Sequence, residues 1–277
     1  MRHRPSLREV GLKIALKVAY DGTDYRGLAR QPGQVTVQGQ LEERLAHLLR
    51  QPIVTTAAGR TDAGVHAEAQ VFSFDAPAGT EPGWLLDRLN AWNEAAIVVR
   101  DAAIVPDGFD ARFSAIRRRY RYQLHRSATA DPFLDRYSWW IRDDLKVTRM
   151  RAATKDLIGE HDFSSFCRKG QGPPSRRLRK VTLTTQTVPD GKRPGPDGKM
   201  LGPSGKRLEV RVEADSFCHQ MVRSIVGWMV ACGKGDRDPS EAARVLAARD
   251  RHAAAPIAPA HGLFLTEVVY PTDPFAR

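Results

Sequence analysis

Leu12-Lys13-Ile14-Ala15-Leu16-Lys17-Val18-Ala19-Tyr20 alternates without a break. Leu12, Ile14, Leu16, Val18 and Tyr20 point one way, and Lys13, Ala15, Lys17 and Ala19 point the other, which predicts a half-buried strand. Downstream, Val37, Leu41, Leu45, Leu48 and Leu49 recur at helical spacing, and Thr36 stands where an N-cap belongs. Strands are expected over Ile53 to Thr56 and Gln70 to Phe74, a helix over Pro82 to Asn93 and a strand over Ala96 to Arg100. The first hundred residues therefore read β-α-β-β-α-β, the order of a ferredoxin-like unit. The fold class is α+β.

The second half repeats the theme loosely. Ile116 to Leu124 alternates, Val147 to Ile158 is helical with Met150, Ala153 and Leu157 inward, and Val181 to Val188 and Leu208 to Ala214 are strands. Phe217 to Cys232 is a strongly apolar helix, Asp238-Pro239-Ser240 opens another, and Leu263 to Tyr270 closes the chain with a strand. Pro189 to Lys206, rich in Pro, Gly and Lys, reads as a long exposed hairpin insertion. The domains are expected at 1–110 and 111–277, the second carrying that insertion.

The chain has 277 residues, 42% of them hydrophobic and 27% charged, with 43 Lys+Arg against 32 Asp+Glu and a net charge of +11. That excess points to a polyanionic partner, with nucleic acid leading. The most apolar helical run, Ile225 to Cys232, falls far short of the roughly 20 residues a bilayer span needs. Met1-Arg2-His3-Arg4-Pro5 leads into no apolar leader core. Cys167, Cys218 and Cys232 are odd in number and widely spaced, so neither zinc nor a disulfide framework is expected, and a cytoplasmic location is the default.

The chemistry is expected at Ala58-Gly59-Arg60-Thr61-Asp62-Ala63-Gly64-Val65-His66-Ala67. A carboxylate between two glycines sits on a tight turn, where reacting groups are placed. Arg60 is close enough in sequence to favour its ionised form. Gly59 and Gly64 have phosphate-loop spacing, but Val65-His66 replaces the Lys-Ser/Thr that such a loop needs. No Gly-x-Gly-x-x-Gly follows a strand and no Gly-x-Ser-x-Gly elbow is present. His66 is expected to serve packing or hydrogen bonding. The strand Arg117-Arg118-Arg119-Tyr120-Arg121-Tyr122 is dense in cations and calls for something anionic across it. Its tyrosines beside arginines suit unstacked bases, worth roughly 1–3 kcal/mol per base. Arg168, Lys169, Arg176 and Arg177 form a second basic segment that would follow a phosphate backbone. Arg223, on an apolar helix, needs a buried anion, either Asp62 or a structural partner such as Asp215 or Glu213.

Gly59 to His66 followed by Gln70-Val71 resembles the signature of the tRNA pseudouridine synthase A family. Tyr20-Asp21-Gly22-Thr23, Thr36-Val37-Gln38-Gly39, Ala111-Arg112-Phe113-Ser114-Ala115, Gly159-Glu160-His161-Asp162-Phe163-Ser164-Ser165-Phe166 and Phe217-Cys218-His219-Gln220-Met221-Val222-Arg223 extend the resemblance in family order over nearly the whole chain. It implies two ferredoxin-like halves, similar to RNA-recognition modules, with mainly antiparallel sheets meeting at a central basic cleft. It implies isomerisation of uridine to pseudouridine on the 3′ side of the tRNA anticodon stem-loop, by a homodimer, without cofactor or metal. Asp62 falls on the family's nucleophile, Tyr120 on the tyrosine that contacts the target base, Arg60 on the residue that fills the vacated space or orients Asp62, and Arg223 on the partner of Asp62. Arg118 belongs with the RNA contacts. Where the family usually has Gly-Trp-x-x-Gln, this chain has Gly27-Leu28-Ala29-Arg30-Gln31. Two other classes compete: a non-catalytic RNA-binding protein with a structural Asp62, and a nuclease using Asp62 on magnesium, for which Glu68 and Asp75 are poor helpers.

Overall fold

The computed structural model describes residues 11–92, 96–168, 175–188, 193–194, 200–201 and 205–276. The opening strand, β1 (Leu12–Tyr20), buries Ile14, Leu16, Val18 and Tyr20 as the alternation requires. Its opposite face is not bare: Ala15 joins Val71, Val105, Ala111, Tyr270 and Phe275 in a second, smaller core. Helix α1 (Val37–Leu49) starts where Thr36 Oγ1 accepts the Gly39 N–H at 3.2 Å, and it buries Val37, Leu41 and Leu45.

In the first half two elements are shorter than their sequence pattern. The strand expected from Ile53 is only β2 (Thr56–Ala57), because the Thr55 N–H goes to the Glu42 carboxylate at 2.8 Å instead of to a ladder. After β3 (His66–Ala76), helix α2 (Pro82–Asn90) stops before Asn93. The Asn90 side chain turns to the backbone of Val99, giving and receiving a hydrogen bond at 2.8 Å each, and so ties the helix end to β4 (Ile97–Ile104).

The second half runs through β5 (Arg117–Arg126), β6 (Trp139–Ile141), α3 (Val147–Ala152), β7 (Gly159–Asp162), β8 (Ser175–Val188), β9 (Arg193–Pro194), β10 (Met200–Leu201), β11 (Gly205–Ala214), α4 (Met221–Lys234), α5 (Ala242–Ala248) and β12 (Leu263–Val269). Helix α3 ends early and gives way to a 3-10 turn at Lys155–Leu157. The Ala153 carbonyl that would prolong it accepts instead from Trp228 Nε1 at 2.9 Å. Met150, Ala153 and Leu157 are buried, as their spacing demands. Within the 189–206 insertion, β9 pairs with β10; the expectation that the insertion is exposed lies outside the described side chains.

The strands join in one ten-stranded, mostly antiparallel sheet of order β4-β1-β3-β12-β5-β11-β8-β7, with β2 beside β3 and β6 beside β5. The last strand is the joint: β12 runs parallel to β3 at Phe264–His66 and Leu265–Ala67, and antiparallel to β5 on its other side. Among the described residues no helix is long and apolar enough to cross a membrane.

Helix α4 is buried nearly all round, from Met221 to Gly233 except at Arg223. It lies so close to the segment after α5 that a Cβ on Gly227 would stand 2.0 Å from the Pro256 carbonyl oxygen. Backbone on both sides leaves no room to yield. Gly227→Ala is expected to cost about 2–3 kcal/mol through overpacking. It should lower the midpoint of urea unfolding with little change in slope; a midpoint equal to wild type would mean that the helix can shift.

Candidate active site

The turn between β2 and β3 is held by its backbone. Gln70 Nε2 donates to the Gly59 carbonyl at 2.8 Å, Arg118 Nη2 to the Ala58 carbonyl at 2.9 Å, and the Leu28 N–H to the Thr61 carbonyl at 3.1 Å. The Tyr20 hydroxyl meets Thr61 Oγ1 at 2.8 Å, and burial pushes that phenol up to about 12. Gly64 has φ +77°, a left-handed conformation that favours glycine, whereas Gly59 does not use its freedom. Gly22 matters for closeness: a Cβ there would stand 2.0 Å from the Val65 carbonyl oxygen.

Asp62 projects from this turn, and both its oxygens are met from the segment that leads into and begins α4. Arg223 Nη1 donates to Oδ2 at 2.7 Å, and His219 Nε2 lies 2.9 Å from Oδ1. The Asp62 side chain is 17% exposed and that of Arg223 14%. Arg223 is itself fixed, since its Nε donates to the Ala258 carbonyl at 2.8 Å and its own carbonyl accepts the Ala258 N–H. Of the anions considered for Arg223, the structure selects Asp62. Glu213 is taken by Arg117 and Arg119, and Asp215 by Arg179. Arg60 is exposed on the same turn, and the carboxylate is oriented by two side chains from the α4 segment. Tyr120, on β5, is buried with its ring edge-on to Phe217 at 5.1 Å between centroids. Burial drives its hydroxyl well above the usual tyrosine range, with the charges of Tyr20 and Asp62 adding to the rise, so the side chain is a neutral phenol.

A family model described as tRNA pseudouridine synthase matches residues 16–114 and 153–271. The chain belongs to the tRNA pseudouridine synthase family. It is 42% identical over 266 residues to the tRNA pseudouridine synthase A of Frankia casuarinae, covering 95% of this chain and 91% of the relative. It is 41% identical over 256 residues to the protein of the same name from Halalkalibacterium halodurans, covering 91% and 90%. A third, from Fervidobacterium nodosum, is 38% identical over 93% of this chain and 99% of its own length.

The family's basic strand is used differently from the sequence expectation. Arg118 is buried, and its guanidinium donates to the carbonyls of Ala58, Arg112, Ala115 and Asp215 at 2.6–3.1 Å, so its cation is engaged inside the fold. Burial lowers its pKa, because the ion has lost water, though four carbonyl dipoles replace much of that hydration. On the strand's other face the anions come from neighbouring strands. Arg117 and Arg119 pair with Glu213, Arg119 also with Glu267, and Arg121 with Glu68. Glu213 and Glu267 lie on the strands flanking β5, the pairing that stabilises sheets, whereas Arg121 reaches across β12 to Glu68. In the second basic segment Arg168 is exposed, Arg177 pairs with Glu160 at 2.8 Å and Arg176 donates to the Ser175 carbonyl. Lys169 lies outside the described residues.

Sequence reasoning missed three things near the site. His219 was passed over, because nothing local ties it to a carboxylate far away in the chain. Cys167 and Cys218 are joined in a disulfide with Cα atoms 5.8 Å apart, against the expectation of none. The backbone contact from the Arg168 N–H to the His219 carbonyl at 3.0 Å lays their two segments side by side. The third is an acidic anchor at Asp21. Its carboxylate accepts from Thr23, Arg136 and Tyr137 and stands 3.0 Å from His66 Nδ1. His66 is buried, meets the Gly22 N–H and the Asp21 carboxylate at Nδ1, and lies 3.1 Å from the His261 carbonyl at Nε2. Burial lowers its pKa, so it is a neutral tether between the Asp62 turn and the start of β12, in the hydrogen-bonding role expected of it.

Arg118→Met is expected to destabilise the fold by about 2–4 kcal/mol, since it strands buried carbonyls. It should leave the salt dependence of tRNA binding unchanged; a shallower salt slope at wild-type stability would restore Arg118 to the RNA surface. For Asp21, burial works to raise the carboxyl, but the hydrogen bonds from Thr23, Tyr137 and Arg136 outweigh it and hold it well below the usual range. A carboxyl lowered on folding contributes stability above its unfolded value and loses it as pH falls toward the folded one. The gap in unfolding midpoint between wild type and Asp21→Asn should therefore be constant at neutral pH and shrink below about pH 4.

Proposed function

We propose that this chain isomerises uridine to pseudouridine in tRNA, on the 3′ side of the anticodon stem-loop, with Asp62 as the reacting carboxylate. The observation that carries this reading is the Asp62 carboxylate, held at both oxygens by Arg223 and His219 beside a buried neutral tyrosine. Family membership supports it.

The chemistry sets the demands. The uracil must leave the ribose through nitrogen, rotate and rejoin through carbon, which it cannot do while stacked, so the nucleotide is flipped out. Asp62 acts by attacking ribose or base, or by taking a ribose proton. Arg223 orients the carboxylate and faces it with an opposite charge while water is excluded. Tyr120, uncharged, offers a ring face and a hydroxyl to the base. Arg60, exposed on the turn, fills the space that the base leaves.

The larger assembly is also proposed. The order β4-β1-β3 with β2 beside β3 suits one ferredoxin-like half over residues 1–110, and β5, β11 and β8 form the sheet of the second, over 111–277. The two halves would meet at a basic cleft that takes the anticodon arm. Arg168, Lys169, Arg176 and Arg177 would follow the phosphates, and a homodimer would let one tRNA touch both subunits. The enzyme needs no cofactor and no metal and works in the cytoplasm. A magnesium nuclease is disfavoured, because Glu68 is paired with Arg121 and Asp75 with Lys13. A purely RNA-binding protein would have no use for the Asp62 arrangement.

Asp62→Asn is expected to keep the fold and tRNA affinity and to form no pseudouridine, read by mass spectrometry of tRNA made without modifications. Full activity in that variant would sink the assignment. Binding should weaken steeply with salt, by counterion release from each phosphate contact; affinity equal at low and high salt would remove the basic cleft.

A further inference from the structure

Asp62 has two oxygens, and its partners hold them unequally. Oδ2 is met by Arg223, which is 14% exposed, anchored through Nε on the Ala258 carbonyl and carried by a helix whose surroundings leave no space to move. Oδ1 is met by His219, which is 44% exposed and stands just ahead of that helix. Among the described residues no second partner holds the His219 ring. A donor on a carboxylate oxygen takes one of its two lone-pair directions and draws charge from it, so the more loosely held oxygen is the one more easily freed to form a bond or take a proton. The Arg223 contact cannot open without disturbing α4, whereas the His219 ring can turn outward by side-chain rotation alone.

We infer that His219 is a positioning residue that covers Asp62 Oδ1 in the free enzyme and swings aside when the nucleotide enters, so that Oδ1 is the oxygen that reacts. This rests on the proposed role of Asp62. Arg223 has the complementary role, staying on Oδ2 and holding the carboxylate in place throughout.

The unequal cover has a consequence for pH. Imidazole is the side chain whose charge changes between about pH 5 and 8. As a cation it grips a carboxylate far more firmly than as a neutral donor. The other charged or titratable groups around the pair do not change charge there. Arg223 on α4, Arg60 on the turn and Arg118 on β5 are guanidinium groups, which are not deprotonated in proteins. Tyr20 on β1 and Tyr120 on β5 are held protonated by burial. His261, before β12, faces Arg223, and burial lowers its pKa, which favours its neutral form. A cationic imidazole on Oδ1 would slow the step that needs that oxygen free, so a lower pH is expected to reduce the rate.

The test is the single-turnover rate of pseudouridine formation on saturating unmodified tRNA, across the pH range, for wild type, His219→Gln and His219→Leu, with tRNA affinity measured in parallel. Gln keeps a neutral donor, and Leu removes it. The wild-type rate should fall in acid. Both variants should lose that acid limb and exceed wild type at the acid end by about fivefold or more. Unchanged tRNA affinity is part of the expectation. An acid limb identical in all three proteins overturns the inference, as does a rate lowered equally at every pH or a change confined to affinity, which would make His219 an ordinary RNA contact. Asp62→Asn, run alongside, separates the two levels. If it is active, the role of Asp62 fails; if it is inactive while the His219 variants keep the acid limb, only the cover on Oδ1 fails.

Discussion

The pair between Asp62 and Arg223 ties the chemistry to the fold. One member stands on a turn of the first half of the chain and the other on the most deeply buried helix of the second. An arginine on such a helix carries a desolvation cost that only a well-placed anion offsets, and the Ala258 carbonyl completes its coordination. The carboxylate gains a fixed counter-charge in return. At their separation of 2.7 Å the attraction is several kcal/mol even with the effective dielectric of a protein surface. Neither half holds this geometry alone, which explains why α4 is packed without tolerance at Gly227.

The sheet makes that cross-chain pairing dependable. β12, last in sequence, lies between β3 and β5 and so fastens the strand that follows the Asp62 turn to the strand that carries Tyr120. Two buried side chains reinforce the joint. Arg118 reaches from β5 to the Ala58 carbonyl at the start of the turn, and His66 reaches from its end to the His261 carbonyl ahead of β12. Each replaces a backbone hydrogen bond that an irregular turn cannot make for itself, and so satisfies buried polar groups that would otherwise be costly. The turn is irregular in conformation yet anchored almost residue by residue.

Legibility followed locality. The alternation of β1, the Thr36 cap and the inward spacing of Met150, Ala153 and Leu157 were readable because each depends on neighbours in sequence. The ends of β2 and α3 were not, because side chains from elsewhere (Glu42 and Trp228) take the backbone groups that would have extended or altered them, and α2 ends where its own Asn90 turns to the backbone of Val99. Asp62, Tyr120 and Arg223 were legible as oddities: a carboxylate among glycines, a tyrosine among arginines, a cation among apolar residues. His219 is an ordinary residue in an ordinary place until the fold brings Asp62 to it. Arg118 misled for the opposite reason, since its charge was plain while the carbonyls that surround it belong to four separate positions in the chain.

Arg118 also changes what the net charge means. An excess of +11 invites the picture of a surface uniformly ready for phosphate. Many of the arginines that create the excess are engaged inside the fold: Arg118 on carbonyls, Arg223 on Asp62, Arg149 on the Cys232 and Arg237 carbonyls, and Arg117, Arg119 and Arg121 on strand carboxylates. The attraction for a polyanion depends on charges that are solvated and near one another within a Debye length, about 8–10 Å at physiological salt. Cations already neutralised by a carboxylate release few counterions when RNA arrives. The sheet face with its ladder of Arg and Glu is therefore a poor place for RNA despite its density of arginine. The side that exposes Arg60 on the Asp62 turn, with Arg168 exposed beside the His219 backbone, suits the proposed RNA contacts better.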